Sequence, residues 1–195
     1  MKTKTAQEPT IKAENLTPNI VKTIYEFLSV FAVPEIKKEN IFYGNQNNIA
    51  LPAESNDYVI FSYISSVRHG TGFEEYDEKG LDDEIYLSNT VEVLVQVDCY
   101  ASTKNGEDGI NAMLRAQALD TVARSSVGVQ FFKDRGLSLL YADDPKDTTL
   151  VGDSDSYVKR STLTLHLSMK SVVKFFSAVN VDLKNVDVSY PPKDD

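Results

Sequence analysis

The sequence predicts an α+β domain: a mostly antiparallel sheet with two main helices packed on one of its faces. Three observations carry this. Residues 91–100 alternate with period two, with Val91, Val93, Val95, Val97 and Cys99 on one parity and Glu92, Leu94, Gln96, Asp98 and Tyr100 on the other. Successive side chains of a strand point to opposite faces, so this segment builds one apolar face for a core. Leu163, Leu165, Leu167 and Met169 alternate in the same way with Thr162, Thr164, His166 and Ser168. Ile20, Ile24, Phe27, Leu28 and Phe31 instead recur at spacings of three and four, the stripe of an amphipathic helix. The order helix, strands, helix, strands is that of an α+β domain.

Taken in order, residues 1–15 are polar, contain Pro9 and read as a flexible N-terminal arm. Thr17 is placed to cap the first helix, with Pro18 in its first turn and Pro34 closing it. Residues 41–44 suggest a short strand, followed by the turn-prone Asn45, Asn47 and Asn48 and by an extended Leu51-Pro52. Residues 58–67 form a strong strand that should pair antiparallel with residues 91–100. The connection over 68–89 is charged, contains Gly70, Gly72 and Gly80, and is too long for a tight turn. Two extended hairpin arms and a mobile loop both fit it.

Residues 101–109 lead as a loop into the second helix. Ile110, Met113, Leu114, Ala118, Thr121 and Val122 are its expected buried stripe, with Arg115, Gln117, Asp120 and Arg124 on other faces. A short helix over 127–132 is closed by Gly136, a brief strand covers 137–141, and turns fall at 143–147 and 152–155. The last strand starts at Tyr157 and runs to residue 171, with an extension toward Phe176. The expected organisation is an arm (1–15), one domain (16–171) and a C-terminal extension (172–195), the last with weak alternation at Val179, Val181 and Leu183.

A chain of 195 residues is long enough to bury a real core. Its 20 basic and 29 acidic side chains give a net charge of -9, which argues against a general nucleic-acid binder. One cysteine precludes an intramolecular disulfide. The first residues lack an apolar signal core and no run reaches the length of a membrane span, so folding in a cytoplasm is expected, with no membrane contact.

No catalytic or cofactor chemistry is legible. His69, His166 and Cys99 are too few and too scattered for a zinc site. The acidic clusters at 82–84 and 143–155 lack the ligand spacing of a calcium loop. Cys99 lies on the apolar parity and reads as a small core side chain, and His166 reads as a structural or surface histidine. There is no serine elbow and no phosphate-binding glycine loop; Gly70-Thr71-Gly72 is too short. The expectation is therefore no catalytic residue, no cofactor and no metal. What stands out is the 68–89 connection, where Arg68, His69, Phe73, Tyr76, Tyr86 and Leu87 combine aromatic and charged groups suited to partner contacts. A solvated excursion is the plain alternative. Lys159-Arg160 is a second candidate contact, with a surface salt-bridge pair as its alternative.

Three stretches carry a family likeness. The first is Tyr58-Val59-Ile60-Phe61-Ser62-Tyr63-Ile64. The second is Val93-Leu94-Val95-Gln96-Val97-Asp98-Cys99-Tyr100-Ala101, followed by a helix with Ala112, Leu114, Arg115, Ala116 and Leu119. The third is Tyr157-Val158-Lys159-Arg160-Ser161-Thr162-Leu163-Thr164-Leu165-His166-Leu167. Their order and spacing resemble the phage neck or tail terminator family. The resemblance implies a non-enzymatic virion protein of the tail or neck, assembled in the host cytoplasm. Such a protein forms a ring of copies, usually six, that caps the head-proximal end of the tail tube and stops its polymerisation. Its implied partners are further copies of itself, the tail tube protein and the head-side connector or adaptor, with the sheath added in contractile tails. DNA would only pass through the lumen. Another head-tail adaptor or a tail-tube protein is the rival reading, and a small hydrolase using Cys99 or His166 a distant third. The 68–89 connection and the residues beyond 172 depart from a minimal member, and are the places for particle-specific contacts.

Overall fold

The computed structural model describes residues 12–32, 36–45, 57–77, 83–101, 109–151 and 157–177. The expected turns at 46–48 and 152–155, the 101–109 loop beyond Ala101, Pro34, and the alternation at 179–183 lie outside these residues. In chain order the elements are β1 (Lys12–Asn15), α1 (Ile20–Phe31), β2 (Ile41–Tyr43), β3 (Tyr58–Asp77), β4 (Asp83–Ala101), α2 (Gly109–Arg124), α3 (Ser126–Lys133), β5 (Leu137–Ala142), β6 (Lys146–Asp147), β7 (Leu150–Val151) and β8 (Tyr157–Ser177). This is the α+β class expected, and the sheet is antiparallel except for β2 beside β3.

The sheet is ordered β1-β8-β4-β3-β2, and β8 is its axis. On one side β4 pairs with it from Ala101↔Lys159 to Asp83↔Ser177. Along its other side, β7, β6, β5 and β1 pair with successive stretches. The antiparallel pairing of β3 with β4 is in register from Tyr58↔Tyr100, with bulges at Tyr63/Ser65 and His69/Phe73.

The odd face of the sheet is the core face. Val93, Val95, Val97 and Cys99 are buried there with Val59, Phe61, Leu163, Leu165 and Leu167, against Ile24, Phe27 and Leu28 of α1. A cluster of rings ties α1 to α3: Phe27 lies 4.8 Å from Phe132 and 5.6 Å from Phe131, centroid to centroid. Arg135 covers the Phe131 ring at 3.7 Å while its Nε donates to Glu26 at 2.9 Å, closing the cluster from solvent. Burying each of these phenyl groups stabilises the fold by about 1.5–3 kcal/mol.

Several local expectations are corrected. The cap of α1 is Asn19, whose Oδ1 accepts from Lys22 N at 3.0 Å. Thr17 is not free to cap, because its hydroxyl oxygen accepts from Val172 N at 3.1 Å and meets Ser171 Oγ at 3.2 Å, fastening the helix entry to β8. The last four residues of the expected N-terminal arm are β1, a strand on β8. Residues 172–177 complete β8, the extension of the last strand toward Phe176 that the sequence suggests.

The buried face of α2 also differs. It comprises Ala112, Arg115, Ala116, Leu119 and Ala123, whereas Leu114 and Thr121 are exposed and Met113, Ala118 and Val122 are half-buried. Small side chains let the helix lie close to the sheet, so the face was chosen by size and not by greasiness. Gly128 serves the same closeness at the next elbow. A Cβ there would run into the carbonyl oxygen of Val122 and come within 2.8 Å of that of Ala123.

Candidate assembly surface

Beyond the helix-covered core, β3, β4 and β8 continue together as an arm. The 68–89 connection is therefore the outer part of a hairpin: β3 runs to Asp77 and β4 resumes at Asp83. Of the two forms the sequence allowed, the hairpin arms are the observed one. Residues 78–82, between the two strands in sequence, are outside the described residues.

The candidate contact residues fall along this arm. Arg68 and His69 are exposed on β3 just before the second bulge. Gly70, at φ 78°, takes the left-handed turn that a side chain would disfavour, and Gly72 passes so close to Asn89 that a Cβ would sit 2.7 Å from its Oδ1. Phe73 follows at 68% exposure. Tyr76 occupies a β3 position opposite Ile85, and its side chain is not among those described. Tyr86 is half-buried on β4 with the Lys174 ammonium 5.4 Å from its ring centroid. Leu87 is half-buried on β4 opposite Glu74, so the arm brings six of the eight candidates to one projecting element.

Lys159 and Arg160 stand at the opposite end of β8. Arg160 turns onto the even face of the sheet, where its Nε and Nη2 donate to Asp98 Oδ1 at 3.1 and 2.9 Å. Asp98, itself buried, also accepts from Thr162 Oγ1 at 2.7 Å and from Gln96 Nε2 at 2.8 Å. Tyr58 and Tyr100 stack at 4.4 Å on the same face. A carboxylate so fully bonded is a structural tie between β4 and β8.

Between base and arm, Glu92 joins both histidines. Its Oε1 lies 2.8 Å from His166 Nδ1 and its Oε2 2.8 Å from His69 Nε2. Hydrogen bonds from His166 and then His69 hold the Glu92 carboxyl below its usual range. Tyr141 stacks on the His166 ring at 3.9 Å. His166 was expected as a structural or surface group; it is structural, buried and ringed by Glu92, Tyr141 and, at 3.6 Å, Asp143.

Sequence reasoning missed one buried ion pair. Arg115, expected on an outer face of α2, is fully buried, and its Nη2 donates to Asp57 Oδ2 at 2.8 Å. The signal available was an arginine in step with Ala112, Ala116 and Leu119, a position that demands a partner. Cys99 lies in the core, where burial pushes its thiol up to about 12, so it is a neutral packing group. Among the described residues, no group of three His, Cys, Asp or Glu side chains could hold a metal ion. No helix among them is long and apolar enough to cross a membrane.

The remaining feature is an open sheet edge. The outer side of β3 is paired with β2 only over Val59–Phe61, and no described strand covers it from Ile64 to Asp77. Ile64 and Val67 are 52% and 51% exposed along it. Exposed apolar strand edges are sites where another chain adds. What the geometry offers is thus a surface for protein assembly, made of backbone edges and aromatic groups on a projecting arm.

No curated protein matches the chain. A family model described as phage neck terminator protein matches residues 19–193, which include every described element from α1 to β8 but not β1. The chain therefore belongs to the phage neck terminator family, a structural component of the virion tail and neck.

Proposed function

We propose that the chain closes the head-proximal end of the tail tube as a ring of copies, six being the expected number. The ring stops tube polymerisation and presents the surface to which the head joins. The observation that carries this reading is the arm, whose β3 edge no described strand covers beyond Tyr63. A subunit that must bind its neighbours, the last tube ring and the head-side connector needs docking edges away from its own core. Phe73, Tyr86, Arg68 and His69 on the arm are the contacts proposed for neighbouring copies or the connector, with Lys159 and Arg160 at the far end of β8 as a second zone. In a contractile tail the sheath would be a further partner. The net charge of -9 suits a passage through which DNA moves without being gripped. Assembly in the host cytoplasm, without enzymatic activity, completes the reading.

Purified full-length protein examined by light scattering and electron microscopy tests it. Single rings of fixed mass are expected. Long tubes would instead make the chain a tube protein and remove the terminator reading.

A further inference from the structure

The arm carries two sheet edges uncovered among the described residues, and their relation to each other is informative. One is the outer edge of β3 beyond Tyr63. The other is the outer edge of β1, which pairs with β8 on its inner side alone. Between them the strands β1, β8, β4 and β3 alternate strictly in direction. The two edges therefore run opposite ways, and β1 of one copy beside β3 of another continues the antiparallel order with no reversal.

Height and phase agree as well. Glu14 pairs with Lys174, Lys174 with Tyr86 and Tyr86 with Glu75, so β1 stands level with the outer end of β3. The bond from Leu16 N to Val172 O turns the even positions of β1 toward β8 and leaves Ala13 and Asn15 facing outward. On β3, Phe61 O accepts from Gly44 N and Tyr63 N donates to Asn45 Oδ1, which fixes the outward phase. Followed through both bulges, that phase leaves positions 66, 68, 74 and 76 turned outward.

We propose that neighbouring copies join edge to edge, β3 of one against β1 of the next, so that the arms form one antiparallel sheet around the ring. This rests on the ring reading above and specifies its interface. Matched at equal height, Glu14 would face Glu75, two like charges directly opposed. A step of two residues keeps the phase and sets Glu14 against Phe73, covering part of that exposed ring. Closing a sheet on itself requires such a stagger. The contact is head-to-tail, the kind that generates a closed ring. The outer edge of β3 also lacks the lysines and prolines that usually block unwanted pairing, with none between Ile64 and Asp77.

The test uses the full-length chain carrying Glu14→Cys with Phe73→Cys. These positions would form a non-hydrogen-bonded cross-strand pair, with Cα atoms roughly 4.5 Å apart and within disulfide reach. Mild oxidation should give a ladder of covalent oligomers on a denaturing gel, ending at the ring number, and each single variant should stay monomeric there. Ala13→Pro removes an outward N–H without touching the β8 ladder, and should abolish rings while leaving a folded monomer by circular dichroism. Cross-linking through Glu14→Cys with Glu75→Cys instead would overturn the staggered register. Rings that cross-link through neither pair, or that survive Ala13→Pro unchanged, would overturn the edge-to-edge interface with the ring reading intact. A wild-type chain that forms no ring would remove that reading first.

Discussion

Arg115 is fully buried beside Asp57, with Nη2 2.8 Å from Oδ2, and the pair bridges the middle of α2 to the start of β3. The guanidinium also reaches the carbonyl oxygen of Tyr100 at 3.5 Å. It thereby ties the helix to two of the three strands that go on to form the arm. Removing one member of a buried pair leaves the other charge without compensation, at a cost of about 3–5 kcal/mol. Asp57→Asn leaves the fully buried guanidinium without its counter-charge, whereas Arg115→Ala leaves a carboxylate that keeps some solvent contact but empties a buried site on α2. Urea unfolding should place both Asp57→Asn and Arg115→Ala well below wild type. An Arg115→Ala protein as stable as wild type would contradict the assignment.

Glu92 makes stability depend on acid. Its carboxyl titrates below the usual range in the folded chain, so it contributes stability above the unfolded value of about 4.3, and loses it as pH falls through the lower folded value. Glu92→Gln removes that dependence along with the ties to His69 and His166. The variant should be less stable than wild type near neutrality, and the gap should narrow when both are unfolded by urea in acid. A constant gap across that range would place the stabilisation elsewhere.

Cys99 should be chemically silent. With its thiol pushed up to about 12, the thiolate fraction near neutral pH is on the order of 10⁻⁵, and the side chain is shielded by the core. Iodoacetamide should leave the native protein unlabelled and modify it only after denaturation. Rapid labelling of the folded protein would show that the β4 core face opens.

Gly128 is demanded by the elbow between α2 and α3. Alanine there would meet the carbonyls of Val122 and Ala123, and the shift needed to relieve the clash should cost about 1–3 kcal/mol. In an ordinary helix the same change would be favourable by about 1 kcal/mol, so even the sign is diagnostic. Thermal unfolding of Gly128→Ala decides it.

The core strands were legible because one face of each is buried, which forces period-two alternation in Val91–Cys99 and Leu163–Met169. The first helix was legible for the same reason at period 3.6. The face of α2 was not, since its contact side is chosen for small size and Ala112, Ala116 and Ala123 give little hydrophobic contrast with Leu114 and Val122. The arm was half legible. Strands beyond the helix layer have no single buried face, so residues 68–77 and 83–89 carry no clean alternation, and the bulge at Gly70–Gly72 breaks what there is. β1 was hidden for a further reason: four polar-flanked residues become a strand only through the backbone that β8 presents. The Glu92 bridge joins positions far apart in sequence, and no local pattern announces it.

Electron microscopy of the assembled particle, with this chain labelled at its N-terminus, locates the ring within the virion. Label is expected at one level only, between the last ring of the tail tube and the head. Label distributed along the tube, or confined to the distal end of the tail, would contradict that placement.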